Sequence, residues 1–486
     1  MYYFPNMICL TLSSPTIEGC LGEIERNREY IDMVELRADL LDESELENAK
    51  EFPSRSSFPA ILTIRRTVDG GRYEKSEKDR RELFLSLLDG GFSYVDIESD
   101  VKRSDVEKKA KEMGVRIIRS YHDFEKVPDD IFSRIYRLKE HGDVAKVAVT
   151  PRSFQDVFTL FRIEEELKDV PKIVIGMGEF GIPTRILYKR VGSMLTFVSD
   201  GEVAPGQISP RLMKTLYRAD KVDDRTAIYG VIGNPIGQTS SPKIHNLGFH
   251  AINFNAIYVP FLVDSIRQFF AFAEYVKMRG FSVTVPFKVD VLSYLGNISR
   301  EVKQIGSCNT VVRVPGMWKG INTDYYGFIK PIEKDLDDGK IRNALVIGAG
   351  GASLAIVWAL RNRGVKVTIL NRTLSHAERV AKMNICQYDR IENASKYSGK
   401  VDLVVQTTSL GMSPNEGASP IPDFKFTGKE IAYDIIYKPK MTKFLQDAEC
   451  AGSSLRFGSQ MLLEQGKLQF MAFSGYYYPS WIDPGI

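Results

Sequence analysis

Short apolar runs rich in β-branched residues recur through the first half of the chain, at residues 7–12, 33–36, 60–64, 94–98, 116–120, 144–149, 172–176 and 195–198. Between them lie segments such as 74–88 and 153–167, where apolar positions return every three or four residues, as on a helix with one buried face. Strand and helix thus alternate. Parallel neighbours need a crossover, so the alternation predicts a parallel sheet, and eight such units predict a closed (β/α)8 barrel.

Charged residues interrupt the pattern at corresponding places. Glu35 and Arg37 close the second run, Arg65 the third, Asp96 and Glu98 the fourth; His122 follows the fifth, and Lys146 falls inside the sixth. Barrel enzymes carry their chemistry at the carboxyl ends of the strands, and a charge on a buried strand is costly unless paired, so these side chains should converge on one polar site. A lone lysine usually lies on an exposed face. A barrel strand, however, is covered on both sides, so the Lys146 ammonium must be neutralised or its pKa lowered, and a lysine so placed can form an imine. His122 could be an ordinary hydrogen-bonded rim histidine; its place at a strand end favours proton transfer.

The pattern changes after a polar junction at residues 221–226. A mixed α/β stretch covers about 227–330, and a βαβ unit begins near 342. Its strand, 343–347, runs into Gly348-Ala349-Gly350-Gly351-Ala352-Ser353, where glycines let backbone approach a pyrophosphate at a helix amino terminus. Ser353 stands where the third glycine of GxGxxG would be. The next strand, 366–370, ends in Asn371-Arg372-Thr373 with no acidic residue for a ribose 2′-hydroxyl, and Arg372 suits a 2′-phosphate, so NADP(H) is expected over NAD.

Composition narrows the remaining possibilities. A chain of 486 residues exceeds what one hydrophobic core supports, so two or three domains are expected. Lys plus Arg (65) nearly balances Asp plus Glu (62) without a basic stripe, which argues against nucleic acid as a partner. No apolar run is long enough to span a bilayer, and residues 1–10 lack the layout of a secretory signal, so a cytoplasmic protein is expected. Five scattered cysteines and five histidines without ligand spacing predict reduced thiols and no metal.

Residues 7–212 resemble type I 3-dehydroquinate dehydratase. The resemblance rests on Glu35-Leu-Arg37, on Arg65 before Asp69-Gly70-Gly71, on Ser120-Tyr121-His122, on Lys146, on Met177 through Arg185, and on Ala204 through Gln207. Asp69, Thr184 and Val203 replace the family's glutamate, serine and serine. The resemblance implies Lys146 as the Schiff-base lysine and His122 as acid and base, with Glu35, Arg37, Arg65, Asp69, Arg185 and Gln207 on the substrate. Residues 228–475 resemble shikimate dehydrogenase, through Gly233 to Asn246, Ser282-Val-Thr284 to Lys288, Asn309, Asp324, Gly411-Met412, Tyr437-Lys-Pro439 and Gly458-Ser-Gln-Met461 with Gln465. Gln238, Thr239 and Ser282 depart from histidine, serine and asparagine.

That second resemblance implies a Lys288–Asp324 catalytic pair for ketone reduction, with Thr239, Ser241, Thr284, Asn309, Tyr437 and Gln465 on the substrate. Gly348 to Ala352, Asn371 to Thr373, Gly458 and Met461 would hold NADP(H). Separately, a lysine or an aspartate in a loop is most often an ordinary surface charge. The expected architecture is α/β: a TIM barrel over 1–222, a substrate lobe over 227–330 completed by about 455–486, and a Rossmann domain over 331–454. The implied activity is dehydration of 3-dehydroquinate followed by NADPH-dependent reduction of 3-dehydroshikimate. Two alternatives are an NAD-linked quinate/shikimate dehydrogenase and a regulatory sensor with one inactive site; retention of Lys146, His122, Lys288 and Asp324 argues against the sensor.

Overall fold

The computed structural model describes residues 7–101, 105–201 and 206–486. Its first strands are β1 (Met7–Leu12), β2 (Met33–Arg37), β3 (Ala60–Thr63), β4 (Tyr94–Glu98), β5 (Arg116–Asp123), β6 (Val144–Val149), β7 (Lys172–Gly176) and β8 (Leu195–Val198). They form one parallel sheet in the order β7-β6-β5-β4-β3-β2-β1-β8. The barrel is nearly closed. Among the described residues β7 and β8 share no ladder; instead Met194 N–H donates to the Lys172 carbonyl at 2.9 Å, and the Ser193 hydroxyl links Val174 N–H to the Leu195 carbonyl. The fifth strand runs three residues beyond the expected run, because Tyr121, His122 and Asp123 continue in register with Val147, Ala148 and Val149. His122 therefore lies inside a strand and not after it.

Side chains alternate between the two faces of a strand, and that parity builds the site. Met7, Cys9, Met33, Ile61, Tyr94, Ile118, Val144 and Ala148 share one apolar cluster, while Ile8, Leu10, Val34, Leu36, Leu62 and Val95 belong to another with the surrounding helices. Glu35, Asp96, Ser120 and Lys146 each stand two residues from a member of the first cluster, so they point the same way, one layer nearer the carboxyl ends.

Two further sheets follow. Strands β9 (Ala227–Gly233), β10 (Ala256–Leu262), β11 (Gly280–Val283), β12 (Asn297–Ile298), β13 (Thr310–Val314) and β14 (Met317–Ile321) form a mixed sheet in the order β10-β9-β11-β13-β14-β12. Strands β15 (Asn343–Ile347), β16 (Lys366–Asn371), β17 (Gln387–Arg390), β18 (Leu403–Gln406), β19 (Ile431–Asp434) and β20 (Ser454–Arg456) are all parallel, in the order β17-β16-β15-β18-β19-β20. This is the doubly wound dinucleotide-binding order, whose direction of winding reverses between β15 and β18.

The chain divides into two compact units, residues 1–226 with 259–272, and 227–258 with 273–486. Within the first, Phe272 sets its ring against Phe154 and Phe161, with centroids 5.3 and 4.9 Å apart. In the second, the helix Gly458–Ser474 crosses its neighbours at glycines: a Cβ on Gly327 would lie 2.6 Å from Gln465 Cβ and 2.7 Å from the Met461 carbonyl oxygen. Overpacking of this kind costs about 1–3 kcal/mol. Gly327→Ala should therefore lower the urea midpoint of the second unit. All three tryptophans, Trp318, Trp358 and Trp481, lie in that unit, so tryptophan fluorescence reads its unfolding directly; an unchanged midpoint would show that the crossing is loose.

Candidate active sites

The polar layer of the barrel is a closed network of charges. Lys146 Nζ lies 2.8 Å from Asp96 Oδ2 and 3.7 Å from Glu35 Oε1, and it sits over the Phe197 ring, 4.3 Å from its centroid. Asp96 turns its other oxygen to Arg65, at 2.9 Å, and to the Ser120 hydroxyl, which donates at 2.6 Å. Arg65 continues to Glu98 at 2.8 Å, and Glu98 is also held by the buried Arg80 at 2.7 Å. Glu35 accepts from Thr11 at 3.0 Å and Thr63 at 2.8 Å. Arg65, Asp96, Glu98 and Lys146 are each at most 4% exposed. Burial pushes the Asp96 carboxyl up, but Arg65 and then Lys146 outweigh it and hold the group below the usual carboxylate range.

His122 is of intermediate exposure, yet its Nδ1 is enclosed and has no hydrogen-bond partner among the described residues. Burial, reinforced by the positive charges of Arg65 and Lys146, lowers its pKa well below the ordinary histidine value, so the ring is neutral. Arg185 is buried, with its Nε donating to the Gly176 carbonyl at 3.1 Å, and burial pulls its guanidinium down to about 10. Just before it, Thr184 replaces serine without loss: its hydroxyl donates to the Gly181 carbonyl and accepts from Gly176 N–H. Arg37 forks onto Asp39 at 2.9 and 2.7 Å. Gln207 accepts from Ser199 at 2.8 Å, whereas Val203 and Ala204 lie outside the described residues.

Asp69 is placed differently from its neighbours. It pairs with Arg66 at 2.7 Å on the turn after β3, and none of its hydrogen bonds or ion pairs joins the Lys146 network. The glycines beside it have a packing purpose: a Cβ on Gly71 would lie 2.1 Å from the Arg65 carbonyl oxygen, so the turn closes directly over that arginine.

A second cation–carboxylate pair lies in the other unit. Lys288 Nζ is 2.6 Å from Asp324 Oδ2, and Asn309 Nδ2 donates to Asp324 Oδ1 at 2.8 Å. Gln465 accepts from Asn309 at 3.2 Å and from Thr323 at 3.3 Å. Tyr437 lies beside Thr239 and Ser240, and burial raises its phenol. Thr284 covers Gly233 so closely that an added Cβ there would sit 2.4 Å from its methyl. Ser282, in place of asparagine, accepts from Tyr258 at 2.6 Å and donates to Gln469 at 2.9 Å. Gln469 and Tyr258 went unassigned in the sequence, although Gln469 lies one helical turn beyond Gln465 on the same face.

The glycine-rich turn leaves β15 beside the winding reversal. Gly348 has φ +109°, and a Cβ on Gly350 would meet open space at the start of the twelve-residue helix Gly351–Asn362. Ser353 works inside the protein: its hydroxyl accepts from Gly350 N–H at 3.1 Å and shares a hydrogen bond with Thr407 at 2.8 Å. Gly351 packs on the Lys288 stem, its virtual Cβ 2.9 Å from Lys288 Cβ, which sets the turn beside the ion pair. Arg372 is exposed after β16, and Asn371 donates to the Thr373 carbonyl. Gly458 packs against the Ile435 carbonyl, and Met461 belongs to an apolar core cluster. An open cradle, a helix amino terminus and an exposed arginine fit a dinucleotide with a 2′-phosphate.

The fold and sites thus define a two-part α/β enzyme, an imine-forming barrel followed by a nicotinamide-dependent reductase. Comparison with known families agrees. Residues 8–224 match type I 3-dehydroquinase, 231–311 the shikimate dehydrogenase substrate binding domain, and 331–413 shikimate/quinate 5-dehydrogenase. The chain is 32% identical to the chloroplastic bifunctional 3-dehydroquinate dehydratase/shikimate dehydrogenase of Arabidopsis thaliana, over 97% of this chain and 82% of the relative. It is 38% identical to the NADP(+) shikimate dehydrogenase of Caldanaerobacter subterraneus over 53% of this chain and 95% of that one. The crystal structure of Aquifex aeolicus shikimate dehydrogenase superposes with a TM-score of 0.50, at 33% identity, over 53% of this chain and 96% of that chain. The chain belongs to the bifunctional 3-dehydroquinate dehydratase/shikimate dehydrogenase family. Among the described residues no helix is long and apolar enough to cross a membrane, and no cluster of potential metal ligands is found.

His245, a member of the Gly233–Asn246 motif, is fully buried 4.2 Å from the Tyr258 ring, and burial lowers its pKa to about 3. The unfolded imidazole takes a proton near 6.5 and the folded one only near 3. Stability of the second unit is then complete above pH 6.5 and falls on acidification by about 1.4 kcal/mol per pH unit from this group. Urea titrations read by tryptophan fluorescence at pH 7, 6 and 5 should show this slope, and His245→Asn should flatten it; an unaltered slope would place the titration elsewhere.

Proposed function

We propose that the chain dehydrates 3-dehydroquinate to 3-dehydroshikimate through an imine on Lys146 and then reduces that product to shikimate with NADPH at Lys288 and Asp324. The observation that carries this is the presence, in one chain, of a buried lysine held 2.8 Å from a carboxylate in a barrel and a second lysine held 2.6 Å from a carboxylate against a nucleotide-binding turn. In the first reaction the Lys146 amine adds to the C3 ketone and water leaves. The iminium then withdraws electrons from C2. Neutral His122, its Nδ1 without a partner among the described residues, takes the C2 proton and delivers a proton to the hydroxyl on C1 as that C–O bond breaks; water then cleaves the product imine and frees the Lys146 amine. Arg185 receives the substrate carboxylate, and Glu35, Arg37, Arg65 and Gln207 hold the ring hydroxyls and the charges around them.

In the second reaction bound NADPH supplies hydride. Gly348 to Ala352, Asn371 to Thr373, Gly458 and Met461 form its site, and Arg372 selects the 2′-phosphate. Lys288, kept in place by Asp324, donates the proton to the carbonyl oxygen as reduction proceeds. Thr239, Ser241 and Tyr437 take the carboxylate end of the ring, while Thr284, Asn309 and Gln465 orient its hydroxyls. We assign residues 1–222 to the dehydratase, 227–330 with 455–486 to the substrate lobe, and 331–454 to the NADP-binding domain. We place the enzyme in the cytoplasm, in keeping with five unpaired cysteines, three of them buried.

With 3-dehydroquinate and NADPH supplied together, loss of nicotinamide absorbance reads both steps. Lys146→Ala should consume NADPH only when given 3-dehydroshikimate. Lys288→Ala should accumulate 3-dehydroshikimate, with reductase kcat down about 10²-fold or more, the scale of a lost general acid. Full coupled turnover by either variant would contradict the assignment.

A further inference from the structure

Asn309 can hold Asp324 only if its side-chain amide faces the right way, and two backbone groups decide that orientation. Thr323 N–H donates to Asn309 Oδ1 at 2.8 Å; a backbone N–H cannot accept, so Asn309 Nδ2 must face Asp324. The Thr310 hydroxyl gives its proton to the same Oδ1 at 2.9 Å, and so it needs a donor of its own. Gln469 Nε2 supplies one at 2.9 Å. This group also donates to the Asn309 backbone carbonyl at 3.1 Å, and a carbonyl can only accept, which fixes the Gln469 amide as well. Its Oε1 is thereby turned to Ser282, which donates to it and accepts from Tyr258. The donor order along Ser282, Gln469, Thr310, Asn309 and Asp324 therefore runs one way throughout.

We infer that Gln469 is a positioning residue for ketone reduction, supporting through Thr310 the second hydrogen bond that holds the Asn309 amide on Asp324 and so keeps Asp324 on Lys288. The inference rests on the assignment of Lys288 and Asp324 made above. Gln469 is 2% exposed, and its hydrogen bonds occupy both ends of its amide, so it acts through Thr310 and Asn309. Methionine at this position would keep the length of the side chain and remove its donors. Glutamate would present an acceptor where the Thr310 hydroxyl needs a donor. In either case the Thr310 hydroxyl loses its donor, and Asn309 Oδ1, held by both Thr323 N–H and Thr310, keeps only the backbone bond, so the amide that aims Asp324 is held less firmly.

The test uses the full chain, with the tryptophan fluorescence of the same preparation as the measure of folded second unit. Gln469→Met and Gln469→Glu should each lower reductase kcat at least tenfold, change KM for 3-dehydroshikimate less than threefold, and displace the pH dependence of kcat. Thr310→Val should produce the same loss, and the double variant Thr310→Val/Gln469→Met should lose no more than the worse single, as members of one hydrogen-bonded unit do. A lowered unfolding midpoint with kcat per folded enzyme and pH profile unchanged would reduce Gln469 to a packing role and overturn the inference. Fully additive losses would also overturn it, by removing the route through Thr310. Lys288→Ala is run in parallel: reductase turnover retained there would mean that the assignment of the pair has failed, and not the relay.

Discussion

An ammonium withdrawn from water costs several kcal/mol unless a carboxylate is held against it, and removing the partner from such a pair costs about 3–5 kcal/mol. Both sites are organised by that requirement. Lys146 has Asp96, which Arg65 and Ser120 keep charged and aimed; Lys288 has Asp324, which Asn309 keeps aimed. Neither carboxylate is free to turn away. The lysines are consequently fixed to within a hydrogen bond while remaining within reach of a ligand, the preorganisation that imine formation and proton donation both need.

The two folds meet the requirement by different routes. In the barrel, strand parity sends Glu35, Asp96, Ser120 and Lys146 inward above a layer of apolar side chains, so the ladder register fixes their spacing. In the reductase, Lys288 lies on a turn and Asp324 opens the short helix Asp324–Ile329, and precision comes from bonds to rigid neighbours: Asn309 just before β13, Gln465 and Gln469 on one face of a long helix, and Gly351 against the lysine stem. A site assembled from a turn and a helix end needs a longer hydrogen-bonded support.

Much of this was legible in the sequence, for physical reasons. A lysine in Val-Ala-Lys-Val-Ala-Val and acids at neighbouring strand ends contradict an apolar strand unless they meet, and they do meet. The βαβ unit was legible because glycines, strand and helix occur in the order that phosphate binding demands. Other features depend on contacts that no local pattern encodes. Asp69 sits in the expected motif but pairs with Arg66, because the turn after β3 directs it there. Met461, expected at the cofactor, also packs into an apolar core cluster, a partnership that the motif does not show. Ser353 breaks the glycine pattern and is compensated by Thr407, 54 residues away. Gln469 and Tyr258 reach Ser282 from 187 and 24 residues away, so their partnership appears only once the sheet and helix are assembled.

If Lys146 is the imine-forming amine, it bonds covalently to substrate during turnover. Borohydride added during turnover of 3-dehydroquinate reduces an iminium to a secondary amine that survives proteolysis. A stable mass increase is expected on the peptide carrying Lys146, and on no other, with dehydratase activity lost in proportion. An unmodified Lys146 peptide, recovered from enzyme that was dehydrating its substrate when borohydride was added, would contradict that role of Lys146.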